Sequence, residues 1–299
     1  MDKTRIATLA GLLGYSIFGF SFLFCKIALE QTSPLTLISL RFVLAFLVFQ
    51  LVLWMGKVKM NFRGKPVKTL LLMGFVQPVF YFITETYGVA MTSASFSGVM
   101  IGLAPVVGLI FGVLLLKERC TGLQIACTLL SVAGVALTTT GGFGTVSVVG
   151  FLLLMGAVIA AALFAILSRS VAPYFSAFER TYINLAFGSV VFTAIALFEN
   201  RGDLSVMVRP LGISSFWISL LYLSVFSSVC AFLLINFSLS HVSAGKVLIF
   251  NNFTTVISVL AGILIMKDTF TWIQRVGIVL IIVGVFGVSY QKQPEAAKP

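Results

Sequence analysis

The chain has 299 residues, 59% of them hydrophobic and only 10% charged, with a mean hydropathy of +1.11, which excludes an ordinary soluble domain and places it in a bilayer. The net charge of +11 does not point to nucleic acid, because most basic residues sit in short loops beside apolar runs and no soluble basic domain presents them. Positive-inside topology accounts for them instead.

Ten apolar runs follow one another, at about 6–29, 34–56, 67–90, 95–116, 122–140, 148–169, 177–198, 213–236, 244–266 and 272–290. Each matches the length of a tilted membrane helix, and helix is the open choice because every backbone donor must be satisfied within its own segment. No alternating short segments of a membrane barrel appear. The basic start (Lys3, Arg5) followed by an apolar run imitates a signal peptide, but without a small-x-small cleavage site it is read as the first span. With a cytoplasmic N-terminus, Lys57, Lys59, Arg63, Lys65, Lys68, Lys117, Arg119, Arg169 and Arg180 fall on or near the inner side. Lys26, Arg41, Arg201, Arg209, Lys267 and Arg275 remain for the outer half. Both termini are therefore expected in the cytoplasm.

Ser93 to Thr140 recurs, without a gap, as Ser243 to Tyr290. Advancing by 150 pairs Ser93 with Ser243, Gly112 with Gly262, Lys117 with Lys267, Glu118 with Asp268, Thr121 with Thr271, Gln124 with Gln274 and Gly134 with Gly284. A duplicated membrane hairpin of this kind predicts an all-α membrane protein of ten transmembrane helices in two five-helix repeats, 1–140 and 148–290. The loop 141–147 joins them and a disordered tail, 291–299, ends the chain. Five spans per half is odd, so the second half must enter the membrane in the opposite sense. Such inverted repeats support two conformations related by exchanging the roles of the halves.

Charges inside a span cost on the order of 2.5–3.5 kcal/mol each and so require a reason. Arg41 lies roughly 9 Å, and Glu85 roughly 8 Å, below the outer ends of spans two and three, with Lys26 roughly 5 Å below that of span one. Two readings are open. The three form a binding cluster with surplus positive charge suited to a carboxylate, in which Glu85 receives an amine or a coupling proton; or Arg41 and Glu85 form a structural salt bridge while Lys26 snorkels to the headgroups. Gln77, Tyr81 and Thr84 fall at i, i+4 and i+7 of span three, a polar stripe expected to line a cavity, and Pro78 should bend the helix. Asn251 and Asn252 in span nine, with Asn184 and Asn236 in the inner half, are further candidates for solute contact, their alternative being interhelical hydrogen bonding. The Gly98-x-x-x-Gly102 and Gly108-x-x-x-Gly112 pairs suit close helix packing within one subunit, or a dimer interface. His241 reads as a surface residue, and Cys25, Cys120, Cys127 and Cys230 as packing residues rather than a metal site or disulfide framework. Gly141 to Gly144 reads as a linker, since no strand precedes it.

Lys26 near the end of the first span, Pro34 opening the second with Arg41 seven residues on, and the Lys117-Glu118 corner echoed by Lys267-Asp268 resemble the EamA-type branch of the drug/metabolite transporter superfamily. The resemblance runs from about Ile6 to Tyr290. It implies a plasma (inner) membrane carrier of amino acids, metabolites or drugs, often outward, whose spans one to four and six to nine surround a cavity while five and ten lie at the periphery. The second repeat departs from the pattern, with Ala177 in place of Pro34 and Asn184 in place of Arg41. The expected partners are a small-molecule substrate and the lipid bilayer, with no nucleic acid and no cofactor, in a monomer or homodimer. With one histidine, no Walker motif and few buried acids, no catalytic constellation can be assembled. The alternatives are a membrane-embedded lipid-modifying enzyme, which would need a catalytic constellation that the sequence does not offer, and a receptor or assembly subunit, which would need an exposed partner surface that the short loops barely provide.

Overall fold

The computed structural model describes residues 3–56, 60–116, 121–140 and 147–290. Every described element is helical. The long helices are α1 (Lys3–Leu29), α2 (Pro34–Gly56), α3 (Val67–Ala90), α4 (Ala94–Ile101, resuming as Ala104–Leu116) and α5 (Gly122–Thr140). They continue as α6 (Val148–Val171), α7 (Ala177–Glu199), α8 (Ser214–His241), α9 (Ala244–Met266) and α10 (Trp272–Tyr290). Eight are long and apolar enough to cross a membrane; α5 and α10 contain shorter apolar helices, Gly122–Leu137 and Trp272–Gly287. The corner Lys117-Glu118, the linker 141–146 and the tail 291–299 lie outside the described residues.

Helix starts are set by local chemistry. Ser176 and Glu179 form a reciprocal capping box at the start of α7. Pro34 occupies the first position of α2, where a missing N–H is harmless, and the Ser33 hydroxyl accepts from Thr36 N at 3.3 Å. α5 and α10 open with the same device: Thr121 N donates to Gln124 Oε1, and Thr271 N to Gln274 Oε1, each at 2.9 Å. Large apolar side chains such as Trp54, Leu114, Phe198 and Leu264 are exposed along the helices, as a bilayer permits and water does not.

Packing is reciprocal between segments 150 residues apart. α5 and α10 pack chiefly on each other. A Cβ on Gly134 would lie 2.6 Å from the carbonyl oxygen of Gly277, and one on Gly284 would lie 2.6 Å from that of Cys127; Gly277 and Gly284 are residues 127 and 134 advanced by 150. Across α4 and α9, Gly98 meets Ser258 while Gly108 meets Leu248, which again exchanges partners under the same offset. These glycines therefore bring two helices of one chain together. Two pairs meet their own counterparts: Phe82 and Phe232, with ring centroids 6.0 Å apart, and Ile101 and Asn251, joined by a hydrogen bond of 2.6 Å. In a two-fold arrangement only residues on the axis can do this.

Because backbone atoms, the Gly277 and Cys127 carbonyl oxygens, are among those opposing Gly134 and Gly284, side-chain rotation alone cannot make room. Gly134→Ala or Gly284→Ala is expected to destabilise the chain by about 1–3 kcal/mol, read as a lower unfolding temperature in detergent. An unchanged unfolding temperature in both variants would contradict this packing.

Candidate functional site

The site is built where α3 departs from regular geometry. Pro78 has no N–H to donate, and residues Phe75–Tyr81 take a π-helical path around it. The corresponding stretch of α8, Tyr222–Ala231, is π-helical too. Gln77 and Tyr81 thereby face a central cavity that Asn251 of α9 borders from the other half, with Phe18, Phe164 and Phe232 among its walls. The cavity is about 30 Å³, room for two or three waters.

Pro105 produces the second irregularity. It cannot donate to the Ile101 carbonyl four residues earlier, α4 breaks at Gly102 and Leu103, and the Nδ2 of Asn251 supplies the missing hydrogen bond at 2.6 Å. Asn251 thus closes the seam with one end of its amide while bordering the cavity. Asn252 turns the other way, towards Thr255 and α10 residues Ile281 and Val285.

Arg41 is 1% exposed. Its Nε donates to the Ser228 hydroxyl and its Nη2 to the Ser227 hydroxyl, both at 2.8 Å, and its guanidinium lies 4.5 Å from the Phe82 ring centroid. Glu85, equally buried, accepts from the Thr86 hydroxyl at 3.0 Å. Among the described residues the two charges form no direct ion pair. The salt bridge expected as the structural alternative is absent because serine hydroxyls and an aromatic face hold the guanidinium instead.

Lys26 does not reach for headgroups. Its Nζ donates to the carbonyls of Val89, Ala90 and Thr92 at 3.1, 3.2 and 2.5 Å, closing the C-terminal end of α3, whose last carbonyls have no helical donors. Arg169, 143 residues on, does the same for α8 through Leu239 O at 2.9 Å, and Leu239 is Val89 advanced by 150. With Lys26 withdrawn to this duty, the surplus positive charge expected of the cluster disappears, and Arg41 and Glu85 balance.

The remaining candidates divide. Thr84 gives its hydroxyl to its own helix, at Phe80 O (2.8 Å) and Tyr81 O (3.0 Å). Asn236 links helices, accepting from Ser168 and donating to Thr181. Asn184 is fully buried in α7 with neither amide atom bonded. His241 is exposed, with Nδ1 3.1 Å from Phe237 O. One residue escaped the sequence reading: Arg180, assigned to the inner side by charge counting alone, is fully buried, with Nη1 on Ser168 and Nη2 on Asn236 O and the Ser240 hydroxyl. It braces the ends of α6 and α8. Its signal was its position four residues before Asn184, on the same helix face.

Long apolar helices around a small polar core define a multi-pass membrane protein. Both halves match the model of the EamA-like transporter family, over residues 5–140 and 148–290, and the chain belongs to that family. It is 32% identical to the uncharacterized transporter YcxC of Bacillus subtilis, over 98% of this chain and 96% of that one. It is also 30% identical to the uncharacterized transporter YetK of the same organism, over 94% and 86%, and 24% identical to an uncharacterized transporter of Archaeoglobus fulgidus, over 92% and 95%. A crystal structure 17% identical superposes with a TM-score of 0.66 over 94% of this chain and 95% of that one, a likeness of fold.

The capping role of Lys26 predicts that Lys26→Met loses hydrogen bonds from a charged donor, about 1–3 kcal/mol. Hydrogen exchange should quicken at the end of α3 while that of α5 and α10 stays as in the unaltered chain. Unchanged exchange at Val89 to Thr92 would contradict the cap.

Proposed function

We propose that the chain is a secondary transporter that carries small organic solutes across the plasma (inner) membrane by alternating access. In this reading 1–140 and 148–290 are five-span units of opposite insertion, with 141–147 between them and both termini cytoplasmic. Amino acids, metabolites and drugs, moved outward, are the solutes the family resemblance suggests. The observation that carries the proposal is the cavity at the seam, to which one half contributes Gln77 and Tyr81 and the other Asn251. Contacts that exchange partners under a shift of 150 residues support the opposite insertion.

Solute would enter a chamber walled by aromatic rings, with polar groups fixing its orientation. A cavity of about 30 Å³ is far below the roughly 300 Å³ at which organic ligands fit, so the halves must part on one face to admit it. Arg41 and Glu85 are equal and opposite, which favours solutes neutral overall, zwitterions included, over anions: a net charge brought into this interior would go uncompensated. Glu85, on the same face as Tyr81 one turn away, is assigned to proton coupling. No cofactor or covalent step enters.

Reconstitution into liposomes tests this. Counterflow of a labelled solute, competed by a panel of amino acids, neutral metabolites and cationic drugs, should reveal net movement without product formation. Glu85→Gln should remove the dependence of uptake on a pH gradient, leaving exchange within about threefold of the unaltered chain. An unchanged pH-gradient dependence would remove Glu85 from coupling, and product formation without movement would overturn the transporter reading.

A further inference from the structure

Counterpart positions let the two halves be compared residue by residue. Arg41 of α2 has Asn184 of α7 as its counterpart 143 residues on, and its partners Ser227 and Ser228 of α8 are the counterparts of Gln77 and Pro78 of α3, 150 residues back. Arg41 holds both serines at 2.8 Å. The related pair does not engage. Among the described residues Asn184 is fully buried with neither Oδ1 nor Nδ2 bonded, and Gln77, 5% exposed, leaves Oε1 without a donor. The two lie on facing helices: a Cβ on Gly74, one turn before Gln77, would stand 3.7 Å from Ile183 and Phe187, which flank Asn184 on α7.

A buried amide atom without a partner is destabilising, and here the Asn184 N–H₂ and the Gln77 carboxamide oxygen are complementary to each other. The helix packing differs in the same sense. Where α2 meets α8 it lies chiefly along the π-helical segment, whereas α7 divides its contact with α3 between the π-helical segment and the preceding Val67–Gly74. Exchanging the roles of the halves would give α7 and α3 the arrangement that α2 and α8 have now.

We infer that Asn184 and Gln77 form a latch: their side-chain amides hydrogen-bond to each other in the oppositely facing conformation, in which the Arg41 bonds to Ser227 and Ser228 are open. The inference rests on the alternating-access reading above. Groups unpaired in one state and paired in the other bias the population towards the second. Ser227→Ala with Ser228→Ala weakens the present state, while Asn184→Leu relieves it of a burden and weakens the other. The two changes therefore push in opposite directions.

The test needs no solute. Ala104, which borders the cavity, becomes the reporter as Ala104→Cys in a chain whose four native cysteines are replaced by alanine. A membrane-impermeant maleimide is applied from each face of oriented vesicles. The serine double variant should shift the ratio of labelling from the two faces by about fivefold one way, and Asn184→Leu by about fivefold the other, with Gln77→Met serving as the second amide variant should Asn184→Leu fail to fold. Amide variants that leave the ratio unaltered, as a bound water between the amides would, or that move it with the serine variants, overturn the latch. Lys65→Ala, which breaks a bridge of 3.0 Å between the halves, separates the two claims: a ratio fixed in every variant including this one contradicts alternating access itself. A ratio that moves in Lys65→Ala but not in the amide variants contradicts the latch alone.

Discussion

Within a bilayer no water is available for a stray backbone carbonyl, and the structure turns on how one such carbonyl is satisfied. Pro105 deprives Ile101 of its helical donor, and Asn251, its own counterpart in the second half, provides one at 2.6 Å. The bond holds α4 to α9 where both halves meet. Gly98 and Gly108 permit the close approach, and Thr255, standing where the first half has Pro105, donates to Gly98 O at 3.2 Å. The central cavity lies beside this seam, so Asn251, which binds the halves together, also borders it.

Most charges in the spans serve helix ends. Lys26 closes α3, Arg169 closes α8, and Arg180 braces α6 and α8, each donating to backbone carbonyls near a helix end. Glu179 ties the α2–α3 connection to α7, accepting from Asn61 N at 2.9 Å and Lys65 Nζ at 3.0 Å. Arg41 and Glu85 are different. They are buried away from helix ends and opposite in sign, and among the described residues they form no direct ion pair.

The all-helical membrane character and the repeat were readable because both are patterns in hydropathy and spacing, visible without coordinates. The burial of Arg41, Glu85 and Gln77 followed from the cost of polar groups in lipid. What remained hidden depends on where a neighbouring helix stops or turns. The sequence leaves Lys26 open to a binding role or to snorkelling, because its target, the last carbonyls of α3, is set by a helix end 63 residues away. Thr84 fell on the polar stripe by spacing, but a threonine hydroxyl can bond its own helix, and here it does. Arg180 was placed on the inner side by charge counting, which carries no information about burial. Asn251 and Asn252 could not be told apart by type; the break at Pro105 distinguishes them.

The account stands on the two halves entering the membrane in opposite senses around a shared axis. Single cysteines at positions 117 and 267, counterparts under the 150-residue shift, can be labelled in intact cells with a reagent that does not cross the membrane. Opposite insertion predicts labelling of the Lys267→Cys chain from outside and protection of the Lys117→Cys chain until the cells are opened. Labelling of both from the same side would contradict it.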